Sequence, residues 1–324
     1  MANLKSLFVP PLFLLLSSLQ AFAIDVGEFG VEIGDFRGPT VAGKVYAVDE
    51  NTLYVKGFKF NVRDADAFFW AGKENVPSAS GEIVQYPAES KTPDLQKLPV
   101  LNDDSFILKL PHGLTITSLK SLAVWDKQKS ESLGSVVIPE SLVVPEPRVL
   151  PEFSRLAHDL RSGNVTILDA KTFLIPDLHY DGKGPDAYFL VGNGSEPNGN
   201  GVKVPNEHGD LNVLRKYNGE TIVIQLPKPL TVYNIEWLVM WCIKYKHNFG
   251  YVRIPKDLNV PPALGQNKIG VQERKGNGAA IQQSTIPKKV EVQVQERKGN
   301  GAAIQQSTFA TVIVCLVAVL FSMP

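Results

Sequence analysis

The sequence lacks several features that mark large protein classes. Its 324 residues include only 2 cysteines, too few for a disulfide-rich small scaffold or for a four-thiolate zinc site. The 33 Lys and Arg residues are balanced by 33 Asp and Glu residues, so the chain has no excess positive charge with which to hold phosphates. No nucleic-acid partner is therefore expected. With 44% hydrophobic residues, the composition is that of a globular protein of about two domains.

Signatures of familiar enzymes and ion sites are also missing. The sequence contains no His-Glu-x-x-His and no Gly-x-Ser-x-Gly segment. Residues 181–186 have calcium-like Asp and Gly spacing, but no EF-hand glutamate follows, so we predict a tight turn there. The glycine-rich residues 192–201 resemble a phosphate loop, yet Pro197 and Pro205 discourage the helix that such a loop requires. We therefore predict a surface loop.

The N-terminus has the three parts of a secretory signal peptide. A single early lysine precedes an apolar run at residues 7–19, and the small residues Ala21 and Ala23 follow it. Residues 1–23 are therefore predicted to be removed, and the protein is predicted to be secreted.

The C-terminal residues 309–324 form a hydrophobic tail that is short for a membrane span. Its apolar part would reach roughly 20 Å as a helix, against a bilayer core of about 30 Å. Small residues at 299–303 and a polar spacer precede it, which is the arrangement of a glycosylphosphatidylinositol attachment signal. We predict lipid attachment at Asn300 on the extracellular face of the plasma membrane. A short tail-anchoring helix is the alternative.

Residues 259–308 differ in composition from what precedes them. Aromatic residues disappear, Lys and Arg outnumber Asp and Glu, and residues 271–285 recur letter for letter as residues 294–308. Two units of this kind do not make a solenoid, which needs at least three. With few large apolar groups to offset the ordering entropy, we predict a flexible, disordered basic stalk.

The remaining residues contain an older repeat. Residues 24–145 and 146–258 align as two copies of a domain of about 115 residues. The matching positions come in the same order, first at one constant offset and then at a slightly shorter one. They include Gly43 with Gly163, Asp49 with Asp169, Gly72 with Gly192, Trp125 with Trp241 and Gly134 with Gly250.

Each copy has the pattern of an all-β domain. Short runs rich in Val, Ile, Phe, Tyr and Thr alternate with Gly, Asn, Asp and Pro turns, and no helical stripe competes with them. We predict two tandem β-sandwich or barrel-like domains. Residues 236–243 have apolar side chains on both faces of a strand, so a strand buried on both sides is predicted there. Examples of the other predicted strands are 172–175, 187–191, 221–226 and 249–254.

The second copy contains a set of residues that marks a known domain. These residues are Asp181, Gly182, Gly184, Pro185, Asp186, Phe189, Trp241 and Cys242, followed by Phe249 with Gly250 and by Ile254 with Pro255. In these residues the second copy resembles the DM13 domain, which occurs in extracellular animal proteins. The first copy resembles it more loosely.

This resemblance implies a role in electron transfer or oxidative modification at the cell surface. In that family a cysteine acts as a thiol or holds a prosthetic group such as haem, and only Cys242 matches it here. The first copy has Asp126 at the equivalent place. A cofactor site in the second copy would draw on Cys242, His158 and His179, although solvent-exposed or turn histidines are the simpler interpretation. The cofactor stays unknown, and haem is the candidate that the resemblance implies.

Cys242 has three interpretations from the residues alone. A lone cysteine beside apolar neighbours is most often a small core residue. A redox or ligand role requires access and a nearby cation, which Lys244 and Lys246 would supply if the strand continued past Cys242. An intermolecular disulfide is the third interpretation, because Cys315 would leave with the tail.

Two N-glycosylation sequons fit a secreted chain, at Asn164 and at Asn193. Asn193 lies in the glycine-rich loop and is the better acceptor. The leading hypothesis is thus a lipid-anchored tandem DM13-like protein with a redox role for Cys242. The alternative is a non-enzymatic adhesion or structural protein that binds extracellular proteins or matrix, and whether the protein is an enzyme is left open.

Overall fold

The computed structural model describes residues 27–88 and 96–265. Within these ranges the chain forms sixteen strands, β1 to β16, and two single-turn 3₁₀ helices. The predicted signal peptide, Asn300 and the hydrophobic tail lie outside the described residues, as does most of the predicted stalk. No helix within the described ranges is long and apolar enough to cross a membrane.

The first repeat contains two four-stranded antiparallel sheets, in the orders β1-β2-β3-β6 and β5-β4-β7-β8. A 3₁₀ turn at Ile116–Ser118 precedes β7. The strands are β1 Val31–Asp35, β2 Val41–Asp49, β3 Thr52–Phe60, β4 Ala67–Gly72, β5 Glu82–Val84, β6 Leu101–Lys109, β7 Ser121–Asp126 and β8 Glu131–Val137.

The second repeat reproduces this topology strand for strand. Its sheets have the orders β9-β10-β11-β14 and β13-β12-β15-β16, and the matching 3₁₀ turn is Val232–Asn234. The strands are β9 Arg148–Val149, β10 Thr166–Asp169, β11 Thr172–Tyr180, β12 Ala187–Gly192, β13 Val202–Val204, β14 Tyr217–Gln225, β15 Trp237–Cys242 and β16 His247–Arg253.

In each repeat the two sheets enclose one hydrophobic core. Side chains from both sheets share a single buried cluster, for example Phe173 and Ile224 with Phe189 and Leu238 in the second repeat. The first repeat has an equivalent cluster of its own. The predicted all-β fold of two sandwich-like repeats is confirmed.

The central strands β7 and β15 are buried at every residue. Their inward side chains join the core, and their outward side chains form a second apolar cluster on the far face of the sheet. In the second repeat this outer cluster contains Leu190, Trp237, Val239 and Trp241. The two-sided burial predicted for residues 236–243 is therefore confirmed for β15.

Two strand ends differ from the sequence-based prediction. The strand predicted at 172–175 continues as β11 to Tyr180, because Pro176 and Asp177 fall at an irregularity in the register where no ladder hydrogen bond is required. The second difference is at β15, which ends at Cys242 and is followed by a turn at residues 243–246. The condition under which Lys244 and Lys246 would lie on the strand face of Cys242, a strand that continues past it, is therefore not met.

The segment between the repeats is held by the end of the second repeat. The backbone N–H of Glu146 donates to the carbonyl of Asn259 over 3.0 Å. The Asn259 side chain donates in return to the carbonyls of Val143 and Val144, each at 3.3 Å. Residues just past the second repeat thus fix the connection that precedes it.

Candidate redox site around Cys242

Cys242 occupies the last position of β15, where that strand lies between its two neighbours. Its partner on β12 is Ala187, and its partner on β16 is His247. The side chain points into the core and is 1% exposed, and the thiol forms no disulfide within residues 27–88 and 96–265. The structure thus places the family cysteine inside the sandwich rather than on its surface.

Tyr180 closes the core next to this thiol from the opposite sheet. It is the last residue of β11 and is 1% exposed. Burial raises the pKa of Tyr180 to about 12, and the neighbouring Asp181 and Cys242 add to the rise. The phenol therefore keeps its proton throughout the physiological range.

The Gly184 position of the motif is packed directly against this phenol. Its backbone N–H donates to the Tyr180 hydroxyl over 2.8 Å. A Cβ atom at Gly184 would lie 2.5 Å from that hydroxyl and 2.8 Å from the ring of Phe249. Only glycine fits there, so this glycine of the motif is explained by close packing onto Tyr180.

Phe249 reaches the cluster through a β-bulge. The register of β15 and β16 shifts between Met240 and Trp241, which leaves Phe249 as the extra residue with its ring turned inward. Its ring centroid lies 5.7 Å from that of Tyr180 in a stacked arrangement. The bulge therefore sets an aromatic residue between the two sheets at the thiol end of the core.

His158 covers the outer side of Phe249, with the two ring centroids 4.0 Å apart. Its backbone is left-handed, with φ 57°, a conformation that costs a non-glycine residue roughly 1 kcal/mol. Nδ1 lies 3.0 Å and 3.2 Å from the two carboxylate oxygens of Asp181, an ion pair whenever the imidazole is protonated. The Asp181 N–H also donates to the His158 carbonyl over 3.1 Å.

Asp181 organises the turn that the sequence predicted. One carboxylate oxygen accepts the backbone N–H of Lys183 over 2.9 Å, and Gly182 takes a φ of 74°. A Cβ atom at Gly182 would lie 2.9 Å from Lys216. Pro185 and Asp186 then lead into β12. The motif is thus a turn whose carboxylate lies against His158.

His247 completes the rim of the cluster. Its ring is perpendicular to that of His158 at 6.5 Å and lies 5.7 Å from that of Phe249. His247 is exposed and His158 half-buried, so the two imidazoles connect the buried aromatic residues with solvent. We call Cys242, Tyr180, Phe249, His158, Asp181 and His247 the thiol cluster.

His179 does not belong to the thiol cluster. On β11 the residues on either side of it, Leu178 and Tyr180, point into the core, so His179 points to the opposite face. Its Nε2 lies 3.0 Å from Asp177, and its Nδ1 accepts from Arg161 over 3.1 Å. The structure therefore brings His158 toward Cys242 and leaves His179 in a separate polar contact.

A haem held by Cys242 does not fit this packing. The thiol is enclosed by core side chains, Gly184 has no space for one additional carbon atom, and His158 lies directly against Phe249. His179, on the other face, cannot share a ligand with Cys242. No group of three or more His, Cys, Asp or Glu side chains within the described ranges is arranged to hold a metal ion.

The other motif residues support the sheet that carries Cys242. Phe189 is fully buried in the core on β12. The carbonyl of Asp186 accepts the N–H of Ile243, directly after the thiol, over 3.0 Å. Trp241 points to the outer face, beneath the glycine-rich loop. A Cβ atom at Gly199 would lie 3.0 Å from its Nε1 atom, so the predicted surface loop lies flat against this indole.

The first repeat has the same backbone at this place but different chemistry. Asp126 ends β7 opposite Ala67 and Glu131, as Cys242 ends β15 opposite Ala187 and His247. The Asp126 carboxylate is 1% exposed and accepts the backbone N–H groups of Gln128 and Lys129 at 3.0 and 3.1 Å. This side chain caps a turn and has no redox chemistry.

The sequence reasoning gave Tyr180, Phe249 and His247 no role at the site. A signal was present in the alignment of the two repeats, since every reactive member of the thiol cluster is replaced in the first repeat. Gly38 stands for His158, Phe60 for Tyr180, Asn61 for Asp181, Asp126 for Cys242, Glu131 for His247 and Leu133 for Phe249.

Comparison with known proteins agrees with the repeat structure. A family described as "Electron transfer DM13" matches residues 35–138 and 152–254. Protein Skeletor, isoforms B/C, of Drosophila melanogaster is 36% identical over 234 residues, which is 72% of this chain and 30% of that protein. Isoforms D/E match with the same identity over 15% of their length, so the chain spans less than a third of the curated relatives it matches. No solved structure matches it. With both repeats matched across more than half of its length, the chain belongs to the DM13 family.

Proposed function

We propose that this protein works outside the cell, held on the membrane surface by a lipid at Asn300, and that its second repeat transfers single electrons through Cys242. The predicted signal peptide and hydrophobic tail support the location. Membership of the electron-transfer DM13 family and the geometry of the thiol cluster support the activity.

The observation that carries the proposal is the difference between the two repeats. They share strand order, register and the bulge before Phe249, whose counterpart is Leu133. A structural role alone would not require six neighbouring positions to change together. The second repeat has an oxidisable thiol, a phenol and two imidazoles in one place, and the first has none of them.

Burial decides which kind of thiol chemistry is feasible. Disulfide exchange needs an exposed thiolate that a second sulfur can approach. Cys242 is 1% exposed in an apolar core, and the turn carries Lys244 and Lys246 away from its strand. One-electron transfer requires no contact between the sulfur and a reactant, so it is compatible with this site.

The Cys242 thiol gives one electron to a one-electron oxidant at the protein surface, of the metal-complex or organic-radical class. Its S–H bond breaks, and the proton goes to a base, for which the imidazoles of His158 and His247 stand at the rim of the cluster. The thiyl radical then takes one electron from a one-electron donor and takes the proton back from the imidazolium, which restores the thiol and the neutral imidazole.

The test is a stopped-flow measurement with a soluble one-electron oxidant such as hexachloroiridate(IV). We expect the full chain to reduce the oxidant in a fast phase that disappears in Cys242→Ser. The matched control is Asp126→Ser, at the same position of the first repeat, which should keep the fast phase. Equal rates for the native chain and Cys242→Ser would refute the proposal.

A binding function is the second candidate, and the outer face of the second repeat favours it. Among the residues that the structure describes, the buried Nε1 atoms of Trp237 and Trp241 on this face have no hydrogen-bond partner. In the first repeat the corresponding face satisfies Trp70, whose Nε1 donates to the Ser78 carbonyl over 3.0 Å. Unpaired buried donors are costly and suit a ligand that supplies acceptors. Retention of the full chain on extracellular matrix, weakened in Trp241→Phe, would support this candidate.

A further inference from the structure

A groove in the second repeat lies beside one of the two glycosylation sequons. Its volume is about 560 Å³, and it is lined by residues 193, 232–236, 255 and 256. Tyr233 forms an aromatic wall that is 43% exposed. Glu236 and Lys256 form an ion pair of 2.8 Å at its edge. The groove therefore combines an exposed ring with polar groups, as binding sites for polar organic groups do.

The sequon Asn193-Gly194-Ser195 is fastened to this groove by its own backbone. The Gly194 N–H donates to the Glu236 carboxylate over 2.6 Å, and the Gly194 carbonyl accepts from Arg253 over 3.1 Å. The Asn193 side chain is exposed and makes no hydrogen bond within the part of the chain that the structure describes. A group attached to Asn193 would therefore start at the groove.

The other sequon has different surroundings. Asn164 is also exposed, but it does not line the groove. It stands between Gly163, whose N–H donates to the Pro176 carbonyl over 2.8 Å, and the fully buried Val165. The two sequons can therefore be compared directly, because Asn193 lies at a groove that can hold a sugar and Asn164 lies beside a core strand without such a groove.

We propose that Asn193 carries an N-linked glycan and that its first sugars lie in this groove against Tyr233. The proposal rests on the extracellular location proposed above. In the transfer, the Asn193 side-chain nitrogen forms a bond to the first sugar carbon and loses a proton, while the bond from that carbon to a lipid-linked pyrophosphate breaks. Transfer takes place on the emerging chain, so the folded protein only has to leave the attached sugar outside its core.

The contact with Tyr233 has a physical basis. The flat apolar side of a sugar ring packs on an aromatic ring, and its hydroxyl groups can pair with the Asn234, Glu236 and Lys256 side chains at the edge. Covering an exposed tyrosine in this way removes apolar surface from water. The glycan should therefore stabilise the second repeat as well as solubilise it.

The test uses the full chain secreted from animal cells, with Asn193→Gln and Asn164→Gln as matched variants. Mass spectrometry of the peptide that contains residue 193 should show a glycan that peptide N-glycosidase removes. Ser195→Ala should abolish this glycan although Asn193 is still present. In thermal unfolding, Tyr233→Ala should lower Tm more in the native background than in Asn193→Gln, and by the native amount in Asn164→Gln.

Each result supports or overturns a defined part of the proposal. A chain that begins at Ile24 but is unmodified at Asn193 overturns the site and leaves the extracellular location intact. A chain that retains Met1 and has no glycan overturns both. If Asn193 carries a glycan but Tyr233→Ala lowers Tm equally in all three backgrounds, the sugars do not lie in the groove against Tyr233.

Discussion

The two repeats share one backbone fold but differ in the residues at one end of the core, which in the second repeat is the thiol cluster. β3 and β7 of the first repeat end at Phe60 and Asp126, whereas β11 and β15 of the second end at Tyr180 and Cys242. In the first repeat a carboxylate caps a turn, and in the second a thiol lies under a phenol. The sandwich is therefore stable with either set of residues. The fold therefore does not require the residues of the thiol cluster.

The largest effect is expected from a substitution that disrupts the close packing of the thiol cluster. Gly184→Ala should lower the free energy of unfolding of the second repeat by about 3 kcal/mol or more, because its Cβ would lie 2.5 Å from the Tyr180 hydroxyl. The equivalent change in the first repeat is Asp64→Ala, at an exposed residue with φ 61°. It should cost about 1 kcal/mol or less.

The measurement is urea unfolding followed by tryptophan fluorescence. Trp70 and Trp125 report on the first repeat, and Trp237 and Trp241 on the second. Replacing one pair by Phe isolates the signal of the other repeat. A loss of similar size for Gly184→Ala and Asp64→Ala would show that the motif glycine is not held by packing.

The next effect concerns alkaline pH. The unfolded state loses a tyrosine proton near pH 10, but burial keeps the Tyr180 proton in the folded state up to its pKa of about 12. The unfolded state then binds fewer protons, so stability falls as pH rises, by about 2 kcal/mol between pH 10 and pH 12. Tyr217 adds to this fall, because burial and its hydrogen bond to Glu207 also raise its pKa.

The control replaces these phenols with residues of the same size. The first repeat already has Phe60 and Leu101 at the corresponding positions. Tyr180→Phe with Tyr217→Phe should remove most of the alkaline loss from the second repeat in urea titrations at pH 9 and pH 12. An unchanged loss would mean that other groups titrate.

A change at the thiol itself should be milder. Cys242→Ser should cost about 1–3 kcal/mol, because a hydroxyl replaces a thiol that is 1% exposed. Native protein should react with maleimide only after denaturant is added. Rapid labelling of the native chain would contradict the buried position on which the one-electron step depends.

The smallest effect tests the partner of His158. Asp181→Asn keeps an acceptor for the Lys183 N–H but removes the charge opposite His158. Since both side chains of this pair are about a quarter exposed, the expected loss is about 0.5–1 kcal/mol in urea unfolding at pH 6. The mirror change Asn61→Asp in the first repeat, where Gly38 offers no imidazole, should change stability by less than about 0.5 kcal/mol. An equal change in stability at the two positions would show that the ion pair between Asp181 and His158 does not stabilise the second repeat.

The sequence predicted the scaffold well, because its signals are local or repeated. The apolar run of β15 shows two-sided burial directly, and the turn at Asp181 follows from its glycines. The thiol cluster could not be predicted in the same way, since Tyr180, Phe249 and Cys242 come from three separate strands. The continuation of β11 past Pro176 was also hidden, because a register irregularity decides it. The DM13 resemblance pointed to Cys242 and His158, and for the other members of the cluster the signal lay in the comparison of the two repeats.

Peptide mapping after one-electron oxidation tests the central claim most directly. The full chain is treated with one equivalent of hexachloroiridate(IV) in buffer that contains ¹⁸O₂, so that a thiyl radical that captures oxygen is marked by mass. The account predicts label at Cys242 in the second repeat and none in the first. Label on Tyr245, which is 65% exposed, with Cys242 intact would contradict it.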